Sequence, residues 1–464
     1  TPTVRAAAAE HWEISDDRRG DTLQLRPDAR WSNNEPVTAG DFVASDRRLL
    51  TPSTGAPKAM HFFVVKNARA FATGELTDFN QVGFRAADPA TLVVTLERPA
   101  PQFLLYAASG PWIPTHPPTV ERFGLASTRP ENFVGNGPFT LTEWRPHQRI
   151  VVTRNPRYHD IAAVKLDEIQ FVAFDNGDTE ERAYRAGQID VTMAVPPTKL
   201  DPAARERPAE LHHVPLAETR YLTFNTTRPP LDDVRVRRAL SLAIDRTKIV
   251  EGVLRGGHDA ASRFVPPQLM TGATALGGTV ALASDEARRL MAEAGFPNGH
   301  GFPRLELSTW PATPVVEAVQ AMWQKELGIA VGLVTREAKV HLAALRDGNY
   351  DIGFMTAIPD VPDAAALLAD LTTGAPGNYP HWSDPRYDAL IAAAAESPNL
   401  PQQHALLLSA ETRLLQESPL TPLYFNARNW LMSRRVRGWQ DDALWTRFYL
   451  NVDVVDRLAV SFFE

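Results

Sequence analysis

There is no cysteine in this chain of 464 residues. A thiolate zinc site, a disulfide framework and a cysteine nucleophile are therefore excluded. A cysteine-free chain suits an oxidising compartment, where a free thiol is a hazard. No stretch approaches the ~18 uninterrupted apolar residues of a membrane helix. Positive charge is not in surplus: 48 Lys and Arg stand against 55 Asp and Glu, a formal net charge of −7. That balance offers no grip on nucleic acid or on an anionic membrane face. The chain opens Thr-Pro-Thr, without a methionine or a signal peptide, so targeting cannot be read from it directly. A Gly-x-Ser-x-Gly elbow is missing. Gly256-Gly257-His258 lacks P-loop spacing and reads as a helix terminator. No pair of carboxylates has a spacing that marks hydrolytic acid–base work. An enzyme is not expected, and neither is a cofactor.

What is present describes a soluble globular chain. Apolar residues make up 44% and charged residues 22%, both ordinary values. The length exceeds one core and implies two or three lobes. The 38 prolines are spread along the chain and read as turn punctuation between many short elements. His212-His213 is the only adjacent histidine pair. Neighbours on a strand point to opposite faces, so the pair reads as structural and no metal site is expected.

The element pattern changes along the chain. Thr22–Arg26 and Thr91–Leu96 read as strands. Thr38 with Asp41 has the spacing of a capping box and predicts a helix through Phe42 and Val43. Phe103–Ala108 reads as a short helix; Phe139–Leu141, Ile150–Val152 and Ile169–Val172 read as strands. A helix over Thr179–Ala186 ends at Gly187. From Tyr221 onward strands alternate with helices, which predicts an α/β lobe on a largely parallel sheet. The strands are Tyr221–Asn225, Arg304–Ser308, Leu333–Thr335 and Pro422–Phe425. The helices begin at Asp233, Ser284, Val315 and His404.

The run Tyr221–Val250, "YLTFNTTRPPLDDVRVRRALSLAIDRTKIV", resembles the hinge-and-helix signature of extracellular solute-binding proteins of the oligopeptide and dipeptide ABC importers, family 5. Other stretches agree and keep the family's order. They are "WSNNEPVTAGDFVAS" at Trp31–Ser45, "NGPF" at Asn136–Phe139, "YRAGQID" at Tyr184–Asp190 and "ARRLMAEAGF" at Ala287–Phe296. Most of these residues have structural readings. Trp31 reads as a core anchor, Asn136-Gly137 as a turn with positive φ, and Arg235, Arg237 and Arg238 as a solvated helix face.

The resemblance implies an α/β, two-lobed periplasmic-binding-protein type II (Venus-flytrap) fold with a small extra domain. The expected division is a small α+β domain over 1–111, lobe I over 112–218 with 436–464 returning to it, and lobe II over 219–435. The chain starts late against the family's pattern: roughly fifty residues of lobe I, a sizeable fraction of a domain, are expected to be missing. The implied function is the substrate-binding component of a peptide importer: secreted to the periplasm, monomeric, and working with an inner-membrane ABC permease. An extended peptide would lie in an inter-lobe cleft, its main chain pairing with exposed strand edges.

Residue by residue, Asp360 matches the family's aspartate for the peptide α-amino group, and Asp363 reads as a cap for the helix that follows. Main-chain groups of Met355, Thr356, Ala357 and Ile358 would form the pairing edge. Trp310 and Trp382 are the aromatic candidates. Phe354 stands where oligopeptide binders carry an arginine, Ala338 where they carry a tryptophan, and Ala312 or Thr313 where a histidine faces a carboxylate. Pro359 replaces an aromatic and removes a main-chain donor. These departures leave two alternatives open. One is a non-peptide solute such as an opine, haem, a metal chelate or an oligosaccharide; the other is a regulatory scaffold without a transport ligand.

Overall fold

The structure is a computed structural model that describes residues 4–56, 58–100, 103–270, 282–397 and 399–455. The chain divides into two compact units. One comprises Pro2–Val195, Leu431–Asp441 and Arg447–Glu464; the other comprises Pro196–Trp430 with Asp442–Thr446.

The first unit carries two main sheets. Strands β1 (Ala9–Ile14), β2 (Gly20–Leu25), β3 (Phe84–Asp88) and β4 (Thr91–Thr95) pair antiparallel in the order β1-β2-β4-β3. Alternate residues Leu23, Leu25, Leu92 and Val94 face inward. The helix Ala39–Leu50 packs on this sheet and begins with the expected capping box, Thr38 and Asp41 satisfying each other's main chain. Trp31 is 1% exposed and donates its Nε1–H to Asp41, so it is the core anchor expected. This core runs from Leu23 to Trp112. A second sheet follows, β5 (Phe139–Arg145), β6 (Arg149–Arg154) and β7 (Glu168–Val172), all antiparallel. Gly137 does not take the positive φ expected of a turn there, and neither does Asn136. Asn155 donates its side-chain N–H to the Gly137 carbonyl and its main-chain N–H to Pro138, which ties the segment to the end of β6. Returning chain joins this unit through Arg435 to Asp190 at 2.6 Å and through a bridge of Met432 to Val191, while its own segments Val436–Arg437 and Asp453–Val454 pair with each other.

The second unit is built on one six-stranded sheet. Its strands are β8 (Leu211–Phe224), β9 (Asp259–Ala260), β10 (Leu305–Thr309), β11 (Val331–Thr335), β12 (Ile352–Ala357) and β13 (Leu420–Leu431). The order is β11-β10-β12-β8-β13-β9. Only β10, β11 and β12 run parallel; β8 is antiparallel to β12, and β9 to β13. The sheet is therefore mixed, not largely parallel. β8 runs against both of its neighbours: it is antiparallel to β12, and its end meets the start of β13, where Phe224 N–H donates to Pro419 O.

Each face of this sheet has its own core. Ile352 and Phe354 of β12 and Leu222 and Phe224 of β8 pack on one side with the helices Val234–Leu242, Ser284–Glu293 and Pro314–Leu327. Met355 and Ala357 of β12 and Tyr221 of β8 pack on the other with Ala364–Ala369, Pro385–Ala395 and Leu400–Glu417. Asp233 caps its helix as expected, accepting from Arg235 N–H. Arg235 and Arg238 lie in solvent, but Arg237 does not. It is buried and donates to the carbonyls of Leu231, Asp232, Glu417 and Ser418. The free carbonyls at the end of Leu400–Glu417 give the cation a better partner than water.

Candidate functional site

The site grows from an interrupted ladder. On one side β12 pairs with β8 along its whole length, from Ile352 opposite Phe224 to Ala357 opposite Thr219. On the other side it pairs with β10 only at Ile352 and Gly353. β10 ends at Thr309, so among the described residues the outer edge of β12 is bare of any neighbouring strand beyond that point.

The direction of each main-chain group follows from the hydrogen bonds at hand. Asp351 O accepts from Asn225 N–H at 3.0 Å, on the β8 side. Ile352 O accepts from Ser308 Oγ at 3.4 Å, and Phe354 O faces His341 Nε2 at 3.2 Å, both on the β10 side. Successive residues of a strand alternate. Met355 and Ala357 therefore turn their N–H and C=O toward β8, and Thr356 turns its own toward the open side. The edge expected over four residues narrows to Thr356 and the residue that continues its phase, Ile358. Ile358 is exposed.

A cavity of about 530 Å³ adjoins this edge, a size typical of small-ligand sites. Its wall includes Trp310, Phe354, Met355, Thr356, Ala357 and Ile358, six of the residues singled out from the sequence. Trp310 is 49% exposed. Phe354 is buried in the core of its sheet face. Trp382 is not in the wall. It is buried against Tyr387, held by Asn378 at its main-chain N–H and carbonyl, and acts as core.

Asp360 is exposed on the loop after β12 and lies outside the cavity wall. Asp363 caps Ala364–Ala369 as expected, accepting from Ala365 N–H at 3.0 Å. Burial pushes its carboxyl above the ordinary range. Ala338 starts the helix Ala338–Arg346, and Thr313 caps Pro314–Leu327. His212 stacks on Trp430 and His213 meets Asn429 at 3.1 Å, so each has a structural partner. Among the described residues, no group of three or more His, Cys, Asp or Glu could hold a metal ion.

Several wall residues escaped the sequence reading. Arg220 reaches the cavity from β8 and pairs at 2.9 Å with the buried Glu218. Glu218 also accepts from Thr356 Oγ1 at 2.8 Å, so the side chain of the open-edge residue is anchored to β8. A signal existed: Glu218 and Arg220 share phase with Leu222 and Phe224, so a polar pair extends an apolar stripe. His341, Tyr221, Tyr379 and Asp370 complete the polar part of the wall. His341 is buried, and burial lowers its basicity, with Arg336 acting in the same sense. Burial likewise raises the Tyr221 phenol. The approach of His341 to β12 depends on Gly353, where a Cβ would lie 2.6 Å from Leu345 of the same helix.

Comparison with known proteins places this architecture. A sequence profile for bacterial extracellular solute-binding proteins, family 5 middle, matches residues 3–379. The chain is 33% identical over 454 residues to the probable deoxycholate-binding periplasmic protein YgiS of Escherichia coli, covering 94% of this chain and 82% of that one. It is 31% identical over 442 residues to the periplasmic oligopeptide-binding protein OppA of Escherichia coli, covering 93% and 80%. The solved structure of the Escherichia coli murein tripeptide binding protein MppA superposes with a TM-score of 0.84 at 29% identity, over 97% of this chain and 89% of that one. The chain belongs to the bacterial extracellular solute-binding proteins, family 5.

Proposed function

We propose that this protein is the extracytoplasmic binding component of a peptide ABC importer, delivering its guest to a membrane permease without altering it. The carrying observation is the open outer edge of β12, where Thr356 presents one N–H and one C=O with no described strand beside it. An extended peptide main chain is the natural complement of such an edge, and pairing with it gives affinity without reading side chains. Relatives named for oligopeptides and for a murein tripeptide support the reading. Among the described residues, no helix is long and apolar enough to cross a membrane. The protein acts as a monomer in this reading. The small α+β domain proposed over 1–111 has a sheet of its own, and its core takes in Trp112 as well.

Asp360 receives the peptide α-ammonium group in this reading. Its place three residues past the last β12 residue puts it beside the end of the pairing edge. The test is calorimetric titration of refolded, ligand-free protein with penta-alanine and with its N-acetylated form. Asp360→Ala should weaken the free-amine peptide by about tenfold or more, roughly 1.4 kcal/mol, and leave the acetylated peptide unchanged. Equal loss for both peptides would remove Asp360 from the role. Binding of deoxycholate with no binding of any peptide would overturn the peptide reading itself.

A further inference from the structure

The cavity beside β12 is a gap in a hydrophobic core. Tyr221, Phe264, Met355, Leu367 and Leu371 all line it, and all belong to the core on one face of the six-stranded sheet. Their positions are set by packing that does not depend on a guest. An apolar wall of this kind holds water poorly and gains when apolar surface displaces it. The cation of the wall, Arg220, is already matched by Glu218 at 2.9 Å, and the wall's carboxylate, Asp370, is negative. An anionic guest group would therefore lose its hydration without gaining an unmatched counter-charge.

Resting on the peptide reading above, we infer that this cavity selects one large apolar side chain, aromatic or leucine-like, from the peptide whose main chain pairs beside Thr356. A main-chain clamp alone would accept almost any sequence. The cavity adds a reader at one register position, because residues of a paired strand alternate between the two faces. The volume of about 530 Å³ accommodates an aromatic ring, and the half-exposed Trp310 at the end of β10 supplies an aromatic surface beside it. Burying such a side chain is worth about 1.5–3 kcal/mol, which converts to roughly 10–150-fold in affinity over alanine at the same position.

The experiment uses the full chain and a set of pentapeptides: penta-alanine, five variants with one phenylalanine moved from position 1 to 5, and the same five with glutamate. Isothermal titration should find one position where phenylalanine binds ~10-fold or more tighter than alanine and where glutamate binds no tighter than alanine. Leu342→Trp, which fills the cavity from the helix Ala338–Arg346, should abolish that gain and leave penta-alanine binding unchanged. Because a filled core can misfold, Trp310→Ala at an exposed position is the second variant, and it should reduce the gain severalfold. If all phenylalanine positions bind like penta-alanine, the selective cavity is refuted and the main-chain clamp survives. If no pentapeptide binds, both fall.

Discussion

Two buried carboxylates, one in each unit of this protein, are held in opposite ways. In the sheet unit, Glu411 is 0% exposed and well partnered. Arg263 meets it at 2.6 Å, and the main-chain N–H groups of Phe264 and Val265 donate to it at 2.8 and 2.7 Å. In the other unit, Asp46 is 1% exposed, accepts from Trp112 Nε1–H, and leaves its second oxygen without a partner among the described residues. Burial pushes the Asp46 carboxyl far above its ordinary range. Asp21, on β2 of the same unit, is raised by burial to about 6. The lesson concerns proton inventory: Glu411 is met by a cation and two donors, whereas burial favours the protonated forms of Asp46 and Asp21.

The largest effect should come from breaking the matched pair. Glu411→Gln leaves the Arg263 cation buried without its counter-charge, and urea denaturation should register a loss of about 3–5 kcal/mol. The carboxyls raised by burial should answer with the opposite sign. The Asp21 group binds its proton more tightly folded than unfolded. Its stabilisation is therefore complete below about pH 4 and is lost as pH rises through about 6. Asp21→Asn should stabilise at pH 8 by on the order of 2 kcal/mol and do little at pH 4. Asp46→Asn should follow the same direction, flattening the decline toward alkaline pH. A pH series of melting curves for the wild type and both variants checks all of this, and a variant that loses stability at pH 8 would break the comparison.

Asp363 sharpens the comparison as an intermediate case, buried with one oxygen capping a helix and the other unpartnered among the described residues. Asp363→Ala should cost about 1 kcal/mol, while Asp363→Asn keeps the cap and removes the burial penalty, so it should be neutral or slightly stabilising at pH 8. The smallest effect belongs to the solvated arginine next to the buried one. Arg238→Ala should stay within about 0.5 kcal/mol, whereas Arg237→Ala should exceed it clearly, and chemical denaturation separates the two.

Much of the fold was legible because its signals are local. Thr38 with Asp41, Asp233 before its helix, and the alternation in Thr91–Thr95 each announce an element within a few residues. Sheet order and strand direction were not legible, since pairing joins residues far apart in the chain, as Phe224 joins Ile352. Arg237 shows the limit of local reading: three arginines in one helix look alike until the carbonyls of Glu417 and Ser418 arrive from a distant segment. At the site, the stretch around Thr356 was visible through its resemblance to a known family. Which of its main-chain groups face outward required the register with β8. Arg220 and Glu218 were passed over because a charged pair on a strand ordinarily means solvent. Trp382 was misjudged in the other direction, as residue type alone does not separate a pocket aromatic from a core one.

The early end of β10 has a consequence for chemistry beyond affinity. A chain laid against Thr356 inherits a two-residue rhythm, in which one residue must offer an amide hydrogen and the next need not. Proline or an N-methylated residue would then be refused at one phase and tolerated at the other. Walking a single proline along a bound peptide would therefore read out the docking frame residue by residue, with no further structure needed.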